Sequence, residues 1–137
     1  MIRPTRNAAD TRPGEALPPL ERRFTEVDLV AYGAATWDWH RVHYDLEFAR
    51  RMKLPGVLVD GQAFGALLAR AALEWAGPRA FITHLSLRMK SMAFAGDTLR
   101  AEGTVAEVAG NGIVLAQRLL NAGRVAAEAT TRIRLPG

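Results

Sequence analysis

Cysteine is absent from the 137 residues, which excludes a disulfide framework and the thiolate-rich zinc sites. Sulfur chemistry is confined to four methionines. Lysine is nearly absent too: Lys53 and Lys90 are the two in the chain, and arginine supplies the other 16 of the 18 basic side chains. These charges are scattered, and the densest cluster, Arg50, Arg51 and Lys53, is only three charges long. A sequence pI near 10.3 therefore comes without the contiguous basic face of a nucleic-acid binder, and no nucleic-acid partner is expected. Long apolar runs are missing as well. None approaches the roughly 20 residues that a membrane-spanning helix needs, and Met1 to Pro13 are polar and Arg-bearing with no hydrophobic segment. A cytoplasmic protein with no membrane partner is expected. Aromatic residues make up only 7% of the chain, so a local concentration of them is informative.

What is present suffices for one globular domain, since 49% of the residues are hydrophobic and a chain of this length buries roughly two thirds of its unfolded surface. Residues 1–16, with Pro4, Pro13 and Gly14 and no periodicity, read as a flexible N-terminal arm or a strap across the surface. Residues 17–137 form the domain proper. A short strand fits Leu20 to Phe24, and Thr25 with Asp28 makes a capping-box pattern that starts a helix from about Glu26 to Ala35. Asp45 caps a second short helix that Pro55-Gly56 ends. The longest helical pattern runs from Gly61 to Ala76, where Phe64, Leu67, Leu68, Ala71, Ala72 and Trp75 recur at helical spacing. Its small residues let other layers approach closely, so it is expected to be central.

After Pro78 the period falls to two, with strands over Phe81 to Met89, Leu99 to Val108, Ile113 to Leu120 and Val125 to Leu135. Asn111-Gly112 marks a hairpin, and the four are expected to form one antiparallel meander. Helices early and strands late make an α+β fold, a single antiparallel five-stranded sheet wrapped around one long helix. One such sheet leaves open edges, so a homodimer is expected.

The chemistry concentrates in Thr36-Trp37-Asp38-Trp39-His40-Arg41-Val42-His43-Tyr44-Asp45, which holds two of the three histidines, two of the three tryptophans and the acid Asp38. A loop between helices can bring Asp38 and His43 to one point, and a carboxylate beside an imidazole can deprotonate or orient a water near neutral pH. The same residues could instead be a loop cap, solvated imidazoles and core indoles.

This stretch resembles the signature of the MaoC-type (R)-specific enoyl-thioester hydratases and hydroxyacyl-thioester dehydratases. Thr36 stands at the hydroxyl position, Asp38 at the catalytic carboxylate, Val42 at the aliphatic position, His43 at the catalytic imidazole and Asp45 at the trailing acid. The likeness continues through Phe48-Ala49, Leu54-Pro55-Gly56-Val57-Leu58-Val59, Gly61 and Phe94-Ala95-Gly96-Asp97-Thr98-Leu99, covering roughly residues 20 to 135. It implies the hot-dog fold and the reversible syn addition of water to a 2-enoyl thioester of CoA or acyl carrier protein, a step of fatty-acid metabolism, with no cofactor. Three departures stand out: His40-Arg41 replace Asn-Pro, Trp37 replaces Gly, and Asp60 replaces the His that usually precedes the helix-opening Gly. The His-Arg-Val-His-Tyr-Asp version is similar to mitochondrial-type dehydratases and mesaconyl-type CoA hydratases, which points to short or branched acyl chains. The two indoles beside Asp38 could narrow the acyl pocket or pack outward.

In these roles Asp38 and His43 hold one water, one of them taking its proton. The Gly61 N–H, at the positive end of the long helix, would face the thioester oxygen. Asp60 reads as that helix's N-cap, though hot-dog thioesterases place their catalytic acid nearby, so an acyl-CoA thioesterase using Asp60 is an alternative. A non-catalytic acyl-thioester-binding subunit is another. His40 could bond substrate or orient Asp38, and His84 reads as structural or CoA-adjacent. Arg88, Lys90, Arg50, Arg51 and Lys53 are candidates for the CoA phosphates. No metal site is expected from three histidines so far apart in the chain.

Overall fold

A computed structural model describes residues 4–136 of the chain; Met1 to Arg3, within the expected arm, and Gly137 lie outside the described residues. Strand β1 (Leu20–Arg23) leads into α1 (Glu26–Thr36), a 3-10 turn (Arg41–His43), α2 (Leu46–Arg51) and the long α3 (Gly61–Ala76). Then come β2 (Phe81–Met89), β3 (Thr98–Ala109), β4 (Gly112–Asn121) and β5 (Arg124–Arg134). The capping box at Thr25 is formed, with the Thr25 side chain accepting from the Asp28 N–H and Asp28 accepting from the Thr25 N–H.

The five strands make one antiparallel sheet in the order β1-β3-β4-β5-β2. This corrects the expected four-strand meander. Strands β3, β4 and β5 follow one another, but β2 pairs with β5 at the far edge, Phe81 opposite Arg134 and Met89 opposite Ala127. The reason lies in the segment from Lys90 to Asp97. It is too long for a tight hairpin, and its backbone pairs with the Val57–Val59 stretch instead, through Val59 N–H to Ala93 O and Ala95 N–H to Val57 O.

The sheet curls over α3, whose Phe64, Leu67, Leu68, Ala71 and Ala72 are buried against Leu99, Ala101, Leu115, Leu119 and Ala129. Helix and sheet approach closely: a Cβ at Gly65 would lie 3.0 Å from Leu87 Cδ2. A buried polar link adds register. Gln117 Nε2 donates to Leu68 O, and Thr131 Oγ1 donates to Gln117 Oε1 at 2.6 Å. The described residues of the arm lie against the far end of α3. The Arg6 N–H donates to Ala76 O, the Arg6 guanidinium ion-pairs with Glu15 and stacks on buried Trp75, and Thr11 and Leu17 are buried. Among the described residues, no helix is long and apolar enough to cross a membrane.

Candidate active site

Three separate segments meet at the N-terminal end of α3. The first is the exit of α1. Trp37 ends the helix with a left-handed backbone (φ 59°), and the Asp38 N–H donates to Gly33 O at 2.9 Å. Gly33 is required for that fold-back, because a Cβ there would lie 2.8 Å from Asp38 O. The Asp38 carboxylate is then steadied by the His40 N–H, which donates to Oδ1.

The second segment is the 3-10 turn. His40 caps it, its Nδ1 accepting from the Val42 N–H, while Arg41 reaches Asp45 in a two-pronged contact and Asp45 caps α2. Buried Val42 anchors the turn, and Val42 O accepts from the Leu58 N–H. In return the His43 ring bonds to Leu58 O through Nδ1 at 2.7 Å. A carbonyl only accepts, so Nδ1 carries a proton and Nε2 is the ring nitrogen that faces the site, where it accepts whenever the ring is neutral.

The third segment, Val57 to Asp60, brings in the second carboxyl. Asp60 Oδ1 accepts from the Gln62 N–H and caps α3. Its Oδ2 is buried with no hydrogen-bond partner and lies 3.9 Å from His43 Nε2. Asp38 Oδ2 lies 3.7 Å from the same nitrogen. Burial, with the Asp38 carboxyl beside it, pushes Asp60 above the usual carboxylate range, while Asp38, which faces the Asp60 carboxyl and accepts from the His40 backbone N–H, is held below it. One ligand atom from each of the three lies within 4.8 Å of the others. A cation could sit among such donors, and so could a water and a proton.

Next to the triad opens a cleft of about 590 Å³ lined by Leu58, Gly61, Phe64, Met89, Met92 and Phe94, with Lys90 and Arg124 also in its wall. The Gly61 N–H begins α3 with no intrahelical acceptor, and Asp60 serves Gln62 and Ala63 instead. A Cβ at Gly61 would lie 2.5 Å from Met89 Sδ, so a side chain there would have to displace the end of the Met89 side chain that covers the helix start.

Of the residues singled out from the sequence, Asp38, His43, Asp60 and Gly61 are brought together, and Lys90 borders the same cleft. His40 adjoins the site, its ring 6.1 Å from that of His43. Thr36 is turned away, its hydroxyl donating to Tyr32 O. Arg88 projects from the opposite face of β2 to Met89, in a trough with Ser86, Arg118 and Glu128. Arg50, Arg51 and Lys53 belong to α2 and its exit; Arg51 lies over the Phe48 ring and near Glu47. Trp37 is 80% exposed and stacks edge-on with Trp39, which meets Tyr44, so the indoles pack outward from the core. Arg124 is an addition, invisible in the sequence because only the β4-β5 turn sets it beside Lys90.

The chain belongs to the MaoC like domain family, which residues 8–120 match, and its fold is the hot dog. It is 30% identical over 95 residues to the beta subunit of the 3-oxo-4,17-pregnadiene-20-carboxyl-CoA hydratase of Mycobacterium tuberculosis, a stretch covering 69% of this chain and 74% of that protein. Among solved structures it superposes on a chain of the ChsH1-ChsH2 complex of Mycobacterium tuberculosis with a TM-score of 0.88 and 27% identity, covering 92% of this chain and 99% of the other. R-hydratase PhaJ1 of Pseudomonas aeruginosa matches with a TM-score of 0.89 and 26% identity, over 94% of this chain and 84% of that one.

Proposed function

We propose that the protein hydrates 2-enoyl-CoA thioesters to (R)-3-hydroxyacyl thioesters, reversibly, as a hydro-lyase. The observation that carries this reading is the His43 Nε2 lone pair, aimed by the Leu58 carbonyl at a point shared with Asp38. In this reading a water there gives its proton to His43, and the Asp38 carboxylate stabilises the imidazolium that results. Electron density driven onto the thioester oxygen is met by the Gly61 N–H, a donor of a kind worth about 3 kcal/mol in barrier height. Lys90 and Arg124 offer positive charge to the CoA phosphates.

The cleft's apolar lining and its size favour a branched or ring-bearing acyl group over the shortest chains, and the hydratase from Mycobacterium tuberculosis whose beta subunit this chain resembles is named for a ring-bearing acyl-CoA. A second subunit, another copy or a related hot-dog chain, is expected to complete the cleft, because β1 and β2 are open sheet edges and Phe81, Met89 and Met92 are exposed. The test is an enoyl-CoA panel from crotonyl-like and mesaconyl-like to ring-bearing chains, with wild type and His43→Ala. Enoyl absorbance should fall without release of free thiol, and His43→Ala should lose at least about 100-fold in kcat. Thiol release abolished by Asp60→Ala but not by Asp38→Ala would establish the thioesterase instead.

A further inference from the structure

Three hydrogen-bond acceptors converge on one point: Asp38 Oδ2, Asp60 Oδ2 and His43 Nε2, the last at 3.7 and 3.9 Å from the two oxygens. A water placed among them has only two protons to give. With both carboxyls ionised and the ring neutral, one acceptor would stay unsatisfied and two negative charges would face each other across the site, an unfavourable arrangement. The cluster therefore closes only with one proton more than the simple dyad needs.

Its seat can be argued from the surroundings. The Asp38 side chain is 31% exposed and takes a backbone hydrogen bond, whereas the Asp60 side chain is 10% exposed and its inward oxygen has no partner. The titratable groups facing Asp60 are Asp38 from the α1 exit, His43 from the 3-10 turn and the Tyr32 hydroxyl from α1, whose own pKa burial raises. Among the described residues no lysine or arginine lies within ion-pair distance of Asp60. The least solvated carboxyl, lacking a cation, is the one that keeps the proton.

We propose that Asp60 is a third catalytic residue, held as the neutral acid and delivering the proton that the substrate's α-carbon receives. This rests on the hydratase reading above. The carbon in question is bonded to the thioester carbonyl that the Gly61 N–H would hold; Asp60 immediately precedes Gly61, and its Oδ2 lies 3.9 Å from His43 Nε2, on the side of the site where the water would be held. As the water oxygen bonds to the β-carbon, one of its O–H bonds breaks toward His43 Nε2. The π electrons pass to the thioester oxygen and return to the α-carbon as it takes the proton from Asp60 Oδ2. The imidazolium then gives its proton to the Asp60 carboxylate, which restores the starting state with one water added. Acid and base are thus separate groups, and the cluster needs no outside proton within a turnover.

The experiment uses Asp60→Asn and Asp60→Ser, both of which keep an N-capping oxygen for α3 and remove the acid. Infrared spectra of the protein without substrate should show a neutral-carboxylic-acid stretch near pH 7 in wild type that both variants lack. With an enoyl-CoA that the wild type hydrates, kcat should fall about 100-fold or more in both, with KM little changed. The loss of wild-type activity as pH rises through the Asp60 titration should vanish from the residual activity. Variants within about threefold of wild type with an unchanged pH profile would overturn the role of Asp60, and so would the absence of the neutral-acid band or activity removed by a chelator and restored by a divalent metal. A wild type that hydrates no enoyl-CoA yet shows the band would instead overturn the hydratase reading, and this role with it.

Discussion

At the scale of single residues, the site depends on where two protons sit. Leu58 O fixes one on His43 Nδ1, and the crowding of acceptors assigns the other to Asp60. A carboxyl kept neutral by its surroundings has a stability signature with a definite sign. Its folded pKa lies above the unfolded one, so its contribution is fully present below the ordinary carboxylate range and is lost as pH rises through the folded value. Asp60→Asn, which keeps the cap and cannot ionise, should therefore melt above wild type at neutral and alkaline pH by a few degrees, on the order of 2–6 °C. The gap should close at acid pH. Thermal melts across that range check it, and a variant that melts lower at every pH would contradict the placement of the strain. Asp38 and His43 were legible in the sequence because their spacing and company are unusual. The pairing of Asp60 with them was not, since a carboxyl before a helix-opening glycine reads first as a cap. It is a cap as well: Oδ1 does that work and leaves Oδ2 free for the site.

At the scale of elements, local chemistry decided most boundaries and tertiary packing decided the rest. Helix α3 runs over the residues its periodicity marks, between Asp60 and Gly77, because cap, apolar stripe and stop all agree. The strand order is different in kind. Alternation shows that Phe81 to Met89 is a strand, but its partner depends on what Lys90 to Asp97 does, and that segment is spent on covering Val57–Val59. The α1 exit is the element that sets the position of Asp38 in the proposed reaction. Gly33→Ala would push a Cβ to within 2.8 Å of Asp38 O, and the turn must open to relieve it. We expect a loss of about 1–3 kcal/mol in stability together with a fall in kcat on the order of 10-fold to 100-fold as the Asp38 carboxylate moves. Denaturant unfolding and steady-state kinetics read the two effects separately. Stability lost with kcat unchanged would mean that Asp38 does not act from this turn.

At the scale of the whole molecule, one curled sheet covers α3 along its buried face and leaves the helix start, the cleft and both sheet edges open. The second subunit proposed above would cover these surfaces. Light scattering on the purified chain should give the mass of a dimer or larger assembly, alone or with a second hot-dog chain, and a stable monomer with full activity would contradict the incomplete cleft. The charge balance also takes on a location at this scale: of the candidates for the carrier's phosphates, Lys90 borders the cleft and Arg124 joins it, whereas Arg88 stands on the sheet's other face. Fold class was legible because helix and strand periods separate cleanly along the chain; the cleft was not, because its walls come from α3, β2 and two connecting segments that only the fold brings together. Addition of water at a carbon-carbon double bond is read directly by following enoyl-thioester absorbance and free thiol together in one reaction. Absorbance should fall to an equilibrium while thiol stays at background; thiol rising in step with substrate loss would mean that the thioester is hydrolysed and the double bond is not hydrated.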